Sequence, residues 1–136
     1  MTPSGAAAMR EYQQMNLEHE VKAASPHRLI QLMMERMLAK LALAKSHMQQ
    51  NDVSAKGDHI GGAISIIAGL QASLNYKANE ELSSNFDALY DYMSRRLLEA
   101  NLNNDAGIID EVDGLMRELK EAWDTVGETL QEAAAR

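Results

Sequence analysis

The sequence contains no cysteine, only two prolines and few aromatic side chains, and these absences limit what the protein can be. Without cysteine the chain has no disulfide, no thiolate nucleophile and no cysteine-type zinc site, which agrees with a reducing cytosol. No proline follows Pro26, so no residue after it blocks helix formation. Because alanine and leucine are abundant and β-branched residues are few, we expect an all-α fold.

Charge and hydropathy exclude further classes of protein. The formal net charge is -7, and basic residues occur only in short pairs such as Arg95-Arg96. Such a chain would repel nucleic acid and anionic lipid, so neither is an expected partner. No apolar run approaches the roughly 20 residues that a membrane span needs, and residues 1–15 lack the basic start and apolar core of a signal peptide. We therefore expect a cytoplasmic protein without stable membrane insertion.

Four amphipathic helices are predicted after a flexible N-terminal segment of residues 1–24. The clearest start is Ser25-Pro26, because Ser25 is a suitable N-cap and Pro26 fits the first helical turn. Arg28 stands where a capping box would have Glu or Gln, and it could instead anchor this junction to an acidic neighbour. The predicted bounds are Pro26 to Gln50, Val53 to Asn75, Glu80 to a turn at Asn101–Asn104, and Asp105, as N-cap, to Val126.

Each predicted helix has one apolar stripe with a spacing of three and four residues, which favours an antiparallel four-helix bundle over residues 25–126. Residues 127–136 are expected to be an acidic, frayed tail, helical at most. The inward residues are Ile30, Met34, Met37, Leu41, Ala44 and Met48; Ile60, Ile64, Ile67, Leu70 and Leu74; Leu82, Phe86, Leu89, Met93, Leu97 and Ala100; and Ile108, Ile109, Val112, Met116, Leu119, Trp123 and Val126.

Three features allow either a structural or a functional interpretation. Met9, Tyr12 and Met15 recur every third residue and form either a frayed turn on the core or a short, detachable helical flap. The methionines of the first helix can fill a core or repack around varied partners. The glycines of the second helix either admit a neighbouring helix or open a shallow groove for another one; they are Gly57, Gly61, Gly62 and Gly69.

Catalytic and metal-binding motifs are not found. No histidine has a glutamate three residues before it, as a di-iron bundle requires, and no two histidines are four residues apart, as in a helical zinc pair. A calcium loop starting at Asp110 would have Val112 and Gly114 at ligand positions. We expect no enzyme activity, no metal and no cofactor, and instead the binding of an amphipathic helix in a groove.

Several motifs occur in order along the predicted helices: Ala24–Ile30, Ala55-Lys56-Gly57, Ala63–Ile67, Leu89–Asn101, Asn104-Asp105, Glu111-Val112 and Ala122-Trp123. Together they resemble the FliS family of flagellar export chaperones, over about Met9 to Val126. The chain departs from the family at Asn75 to Glu81, where members often have an Asp and a Gly-Gly-Glu turn. We expect this departure to change only the loop conformation.

The resemblance implies a cytoplasmic chaperone that binds the disordered C-terminal segment of flagellin and prevents its premature polymerisation. It also implies that the loaded chaperone docks on the export gate protein of the flagellar type III secretion apparatus, and that the client displaces a flap containing Met9 and Tyr12. A different class remains open, a structural bundle that self-associates through its apolar stripes. The predicted client-binding or flap residues are Met9, Tyr12, Met15, Ile60, Ile64, Ile67, Leu89, Tyr92, Met93 and Arg96.

Overall fold

The computed structural model describes residues 24–75, 77 and 79–135, with side-chain environments up to residue 128. In this part of the chain four helices follow one another: α1 (Pro26–Gln49), α2 (Val53–Ala72), α3 (Glu80–Asn103) and α4 (Ala106–Ala135). Neighbours in the bundle are α1 with α2, α2 with α3, α3 with α4, and α4 with α1. The predicted all-α four-helix bundle is confirmed; the predicted flap with Met9, Tyr12 and Met15 lies outside the described residues.

Short polar side chains cap the helix starts. Ser25 Oγ accepts a hydrogen bond from the Arg28 amide at 3.1 Å, which confirms the predicted N-cap. The Arg28 guanidinium lies 3.2 Å from Glu35, an acidic neighbour on its own helix. The remaining caps are Asp52 to the Ala55 amide, Asn79 to the Leu82 amide, and Asp105 to the Gly107 and Ile108 amides.

Two predicted helix ends differ from the structure. The second helix ends at Ala72 rather than Asn75, because the Ser73 hydroxyl donates to the Leu70 carbonyl at 2.7 Å and competes with continued helix. The fourth helix continues past Val126 to Ala135. Alanine, glutamate and glutamine are strong helix formers, and no proline ends the run.

One stripe from each helix forms the core. The α1 prediction is confirmed from Met34 to Met48, with Ile30 half-buried. The buried apolar residues of the core are Met34, Met37, Leu41, Ala44 and Met48; Ile60, Ala63, Ile67 and Leu70; Tyr90, Met93, Leu97 and Ala100; and Ile108, Ile109, Val112 and Met116.

The inward stripe of α3 was predicted with an error at its beginning. Leu82 is 49% exposed and Ser83 is buried instead. The inward positions of α3 are three and four residues apart, and counting back from Tyr90 and Phe86 leads to position 83. Burial raises the pKa of the Tyr90 hydroxyl to about 12. Tyr92, two residues further along the helix, is exposed instead. At the end of α4, Val126 is also exposed rather than inward.

Two of the α2 glycines leave space for the ends of α1 side chains. A Cβ atom built on Gly69 would lie 2.8 Å from Met33 Cε, and one on Gly62 would lie 3.3 Å from the Lys40 side chain. The structural interpretation therefore holds at these two positions. It does not hold at Gly61, where an added Cβ atom would meet nothing within 4 Å.

The start of α1 packs against the last part of α4. The Trp123 indole N–H donates to the His27 carbonyl at 3.0 Å, and the two rings lie 4.6 Å apart between centroids. A Cβ atom built on Gly127 would collide with the His27 imidazole. Glycine at 127 therefore leaves the space that the imidazole occupies.

We predict opposite effects for two glycine substitutions in α4. Gly127→Ala should lower the free energy of unfolding by about 1–3 kcal/mol, because the new methyl group displaces the His27 ring. Gly114→Ala should raise it by roughly 0.5–1 kcal/mol, because an added Cβ atom there meets nothing within 4 Å and alanine is the better helix former. Urea unfolding of both variants checks this, and a stabilised Gly127→Ala protein would contradict the contact.

Candidate functional site

The motif residues around Lys56 hold the end of α3. Lys56 is buried, and its ammonium group donates to the Asn101 carbonyl at 3.0 Å and to Asn104 Oδ1 at 2.5 Å. Asn104 has left-handed backbone geometry with φ of 51°, a conformation that asparagine tolerates better than most residues. These residues therefore fix the α3–α4 turn, and the motif they belong to is structural here.

The predicted client-binding residues separate into groups. Three of them, Ile60, Ile67 and Met93, lie fully in the core, so they offer no surface unless the helices move apart. Ile64 is half-buried against the core, on the side of α2 that faces α3. The last group shares the side of α3 that faces α4 and consists of Leu89, Tyr92 and Arg96.

Tyr92 and Arg96 meet at a glutamate of α4 that the site prediction missed. The Tyr92 hydroxyl donates to Glu111 Oε1 at 2.9 Å, and Arg96 Nε donates to the same oxygen at 3.0 Å. Arg96 also donates to Glu99 at 2.6 Å. We call these four side chains the Tyr92 cluster. Glu111 occurs in the Glu111-Val112 motif, but only the fold shows which residues it faces.

The electrostatics of the Tyr92 cluster follow from these contacts. The Arg96 hydrogen bond, and then that of Tyr92, holds the pKa of the Glu111 carboxyl below its usual range. The same glutamate raises the pKa of the Tyr92 hydroxyl. At neutral pH the cluster therefore presents a neutral tyrosine, whose ring is partly exposed, beside a fixed guanidinium. This combination is common at protein recognition surfaces.

A cleft of about 700 Å³ lies between α1 and α4 and was not predicted from the sequence. Leu38, Ala39 and Ala42 contribute its apolar part, and its α4 side carries charged residues. The charged pairs at its edge include Lys120 with Asp124 at 2.8 Å and Lys120 with Glu35 at 3.8 Å. The cleft is open and elongated along two helices, so its shape suits a peptide segment better than a small molecule.

Within the described part of the chain, no group of three or more histidine, aspartate or glutamate side chains is arranged to hold a metal ion. No helix there is both long and apolar enough to cross a membrane. Two surfaces combine apolar and charged groups in a way that suits recognition, the Tyr92 cluster with Leu89 and the α1–α4 cleft. Both adjoin α4, on its two sides.

Comparison with known proteins gives one family. A sequence model described as flagellar protein FliS matches residues 8–130. The flagellar secretion chaperone FliSB of Pseudomonas aeruginosa is 46% identical over 119 residues, which cover 88% of this chain and 94% of that protein. FliS chaperones of Salmonella typhimurium and Escherichia coli are 44% and 40% identical, each over 87% of this chain and 88% of their own length. These relatives are chaperones, a non-enzymatic class.

We predict that Arg96 controls the titration of Glu111. Replacing Arg96 with Gln should raise the pKa of the Glu111 carboxyl toward its usual range, because the hydrogen bond that lowers this pKa most loses its charge. NMR titration of the Glu111 side-chain carboxyl measures the change, and Arg95→Gln on the exposed side of the same helix is the matched control.

The pH dependence of stability follows from the lowered pKa of the Glu111 carboxyl. The stabilisation from Glu111 is present at neutral pH, above the pKa of the unfolded chain, and is lost as the pH falls through the folded pKa. An unchanged Glu111 titration in Arg96→Gln, or an equal shift in Arg95→Gln, would show that the hydrogen bond does not form.

Proposed function

The chain belongs to the FliS family of flagellar secretion chaperones, and we propose that it binds the disordered C-terminal segment of flagellin in the cytoplasm. Binding would prevent premature polymerisation of flagellin and support delivery to the flagellar type III export gate. The observation that carries this proposal is the family match over residues 8–130, which includes the whole α1–α3 region and most of α4.

The surface chemistry supports a peptide client. A disordered segment that becomes helical on binding loses conformational entropy worth a few kcal/mol, which apolar contact must offset. Leu89 and the Tyr92 ring on one side of α4, and Leu38 with two alanines on its other side, supply apolar contact of this kind. We propose that the client lies along both surfaces, so that α4 is held between its two parts.

The cationic side chains beside both surfaces are already paired within the chain. Arg96 is already paired with Glu99 and Glu111 at 2.6 and 3.0 Å, so it contributes a rigid edge rather than a free cation. Around the cleft the pairs Arg117 with Asp113 and Lys120 with Asp124 are likewise satisfied. The client would therefore be selected mainly by the shape of the two apolar surfaces, and the paired polar groups would surround those surfaces.

The predicted flap is part of the same proposal. Met9, Tyr12 and Met15 would cover part of the client surface in the free protein, and the client would displace them. A segment tethered beside its site competes at high effective concentration even when its intrinsic affinity is weak. The flap would thus shield apolar surface without preventing loading.

Calorimetry with the full chain and a C-terminal flagellin fragment tests the proposal. We expect binding with Kd in the micromolar range or below, and none with flagellin lacking that segment. Tyr92→Ala should weaken binding by about 5–30-fold, corresponding to roughly 1–2 kcal/mol at an exposed aromatic contact. Leu43→Ala, at an exposed leucine of α1 that lies outside both surfaces, should leave affinity unchanged.

Two results would distinguish an error in the proposed function from an error in the proposed binding surface. Absence of binding by the unmodified chain at tens of micromolar would reject the flagellin proposal itself. Equal affinity of the unmodified chain and the Tyr92→Ala variant would leave the function standing and move the client to another face.

For the flap we expect Tyr12→Ala to leave the circular dichroism spectrum and thermal unfolding unchanged while tightening flagellin binding by a few fold, because a competitor has been weakened. Unaltered affinity for both flagellin and the export gate protein would count against the flap.

A further inference from the structure

The α1–α4 cleft changes in character along its length, and two side-chain contacts set the register of its two helices. Near one end Lys45 donates to Asp110 at 2.8 Å. Near the other end Gln31 donates to Asp124 at 2.7 Å, so the helices run antiparallel. Since both helices rise about 1.5 Å per residue, these contacts give the relative height of each residue that lines the cleft.

One half of the cleft is apolar and the other half is acidic. Leu38, Ala39 and Ala42 form the apolar half, between the two contacts that set the register. Glu121 lies about one helical turn beyond Leu38, towards the first turn of α1, and Glu128 lies about two turns further along α4. A segment bound along the cleft would therefore meet apolar side chains at one end and carboxylates at the other.

The two carboxylates of the acidic half are not neutralised within the described part of the chain. Both cations that line the cleft, Arg117 and Lys120, are already in ion pairs with aspartates of α4. Glu35, across the cleft on α1, is 3.8 Å from Lys120. Glu121 and Glu128 are exposed, and neither forms an ion pair with a residue whose side chain is described. They remain available to basic groups of a partner.

The spacing of the two glutamates matches a helical partner. Glu121 and Glu128 are seven residues apart, which is two turns and about 10.5 Å along one side of α4. A second helix lying along α4 presents its own residues i and i+7 at the same spacing. The small side chains of Ala39 and Ala42 let the backbone of such a helix come close, as small residues do at helix contacts.

We propose that the α1–α4 cleft binds a helical part of the client that is apolar at one end and carries two basic side chains, seven residues apart, towards the other. Glu121 and Glu128 would pair with these two side chains and fix the direction in which the segment lies. This inference rests on the proposed binding of flagellin, and it adds the chemistry by which the cleft selects one part of the flagellin C-terminal segment.

Charge favours this occupant over others. An acidic segment would be repelled by both glutamates and by the net charge of -7, and such repulsion contributes to specificity. The N-terminal segment of the chain itself has two basic residues that titrate above neutral pH, Arg10 and Lys22, but these are twelve residues apart. A helix with that spacing cannot place both of them beside glutamates that are seven residues apart.

Calorimetry of the full chain with a C-terminal flagellin fragment, at roughly 0.05 M salt, tests the proposal. Glu121→Gln and Glu128→Gln should each raise Kd about two- to fivefold, the effect of one exposed ion pair, and the double variant should raise it about tenfold. Glu118→Gln is the matched control, because it removes the same charge from an exposed position of α4 outside the cleft, and it should leave Kd unchanged.

Salt provides a second readout from the same variants. At about 1 M salt the Debye length falls to roughly 3 Å, so the unmodified chain and the double variant should bind with nearly equal Kd. Thermal unfolding checks that each variant remains folded, which is expected for exposed glutamates without ion pairs.

Double-mutant cycles test the helical spacing. Each lysine and arginine of the flagellin fragment is replaced by glutamine in turn, and each replacement is measured against Glu121→Gln and Glu128→Gln. One basic residue should be coupled to Glu121, so that its replacement has no further effect in Glu121→Gln. A second basic residue, seven positions away in the fragment, should be coupled to Glu128 in the same way.

The results that would overturn the proposal differ from those that would reject flagellin binding. No binding by the unmodified chain rejects both. Binding that is unchanged in the double variant, or equally weakened by Glu118→Gln, overturns the role of the two glutamates alone. Coupled basic residues about three positions apart would show an extended segment and overturn the helical geometry. Tighter binding by the glutamine variants would assign the cleft to the chain's own N-terminal segment, as a weakened competitor.

Discussion

The burial of one narrow stripe from each helix is the constraint on which the rest of the molecule depends. Met37, Met93 and Met116 are fully buried together with branched residues such as Leu41 and Ile67. Burying a side chain of this size stabilises the fold by roughly 1.5–3 kcal/mol, and methionine can adapt to the irregular spaces between four helices. The core methionines are therefore committed to packing, and they are not free to repack around a client.

The two ends of the bundle are closed by specific polar contacts. At one end Lys56 holds the α3–α4 turn through Asn101 and Asn104. At the other, the Trp123 indole holds the first turn of α1 through the His27 carbonyl. Several of the motifs that resemble the family are thus explained by architecture. What remains for recognition is the surface between the stripes, above all the surfaces on the two sides of α4.

The sequence predicts the α1 stripe well because Ser25 and Pro26 fix its start and the apolar period is unbroken. Hydrophobicity is misleading at Leu82, which is exposed, because the repeat through Tyr90 places the less hydrophobic Ser83 inward. The sequence also leaves the site mostly undetermined, because the contact of Arg96 with Glu111 joins different helices. Only the assembled bundle shows that the alanines of α1 form part of a cleft with α4.

We propose that this bundle keeps flagellin from assembling by holding its C-terminal segment. The most direct test is flagellin polymerisation on filament seeds, followed by light scattering, with increasing amounts of the full chain. We predict that assembly stops near one chain per flagellin and resumes when excess C-terminal flagellin fragment is added as a competitor. Assembly that continues at the same rate with the chain in excess would contradict it.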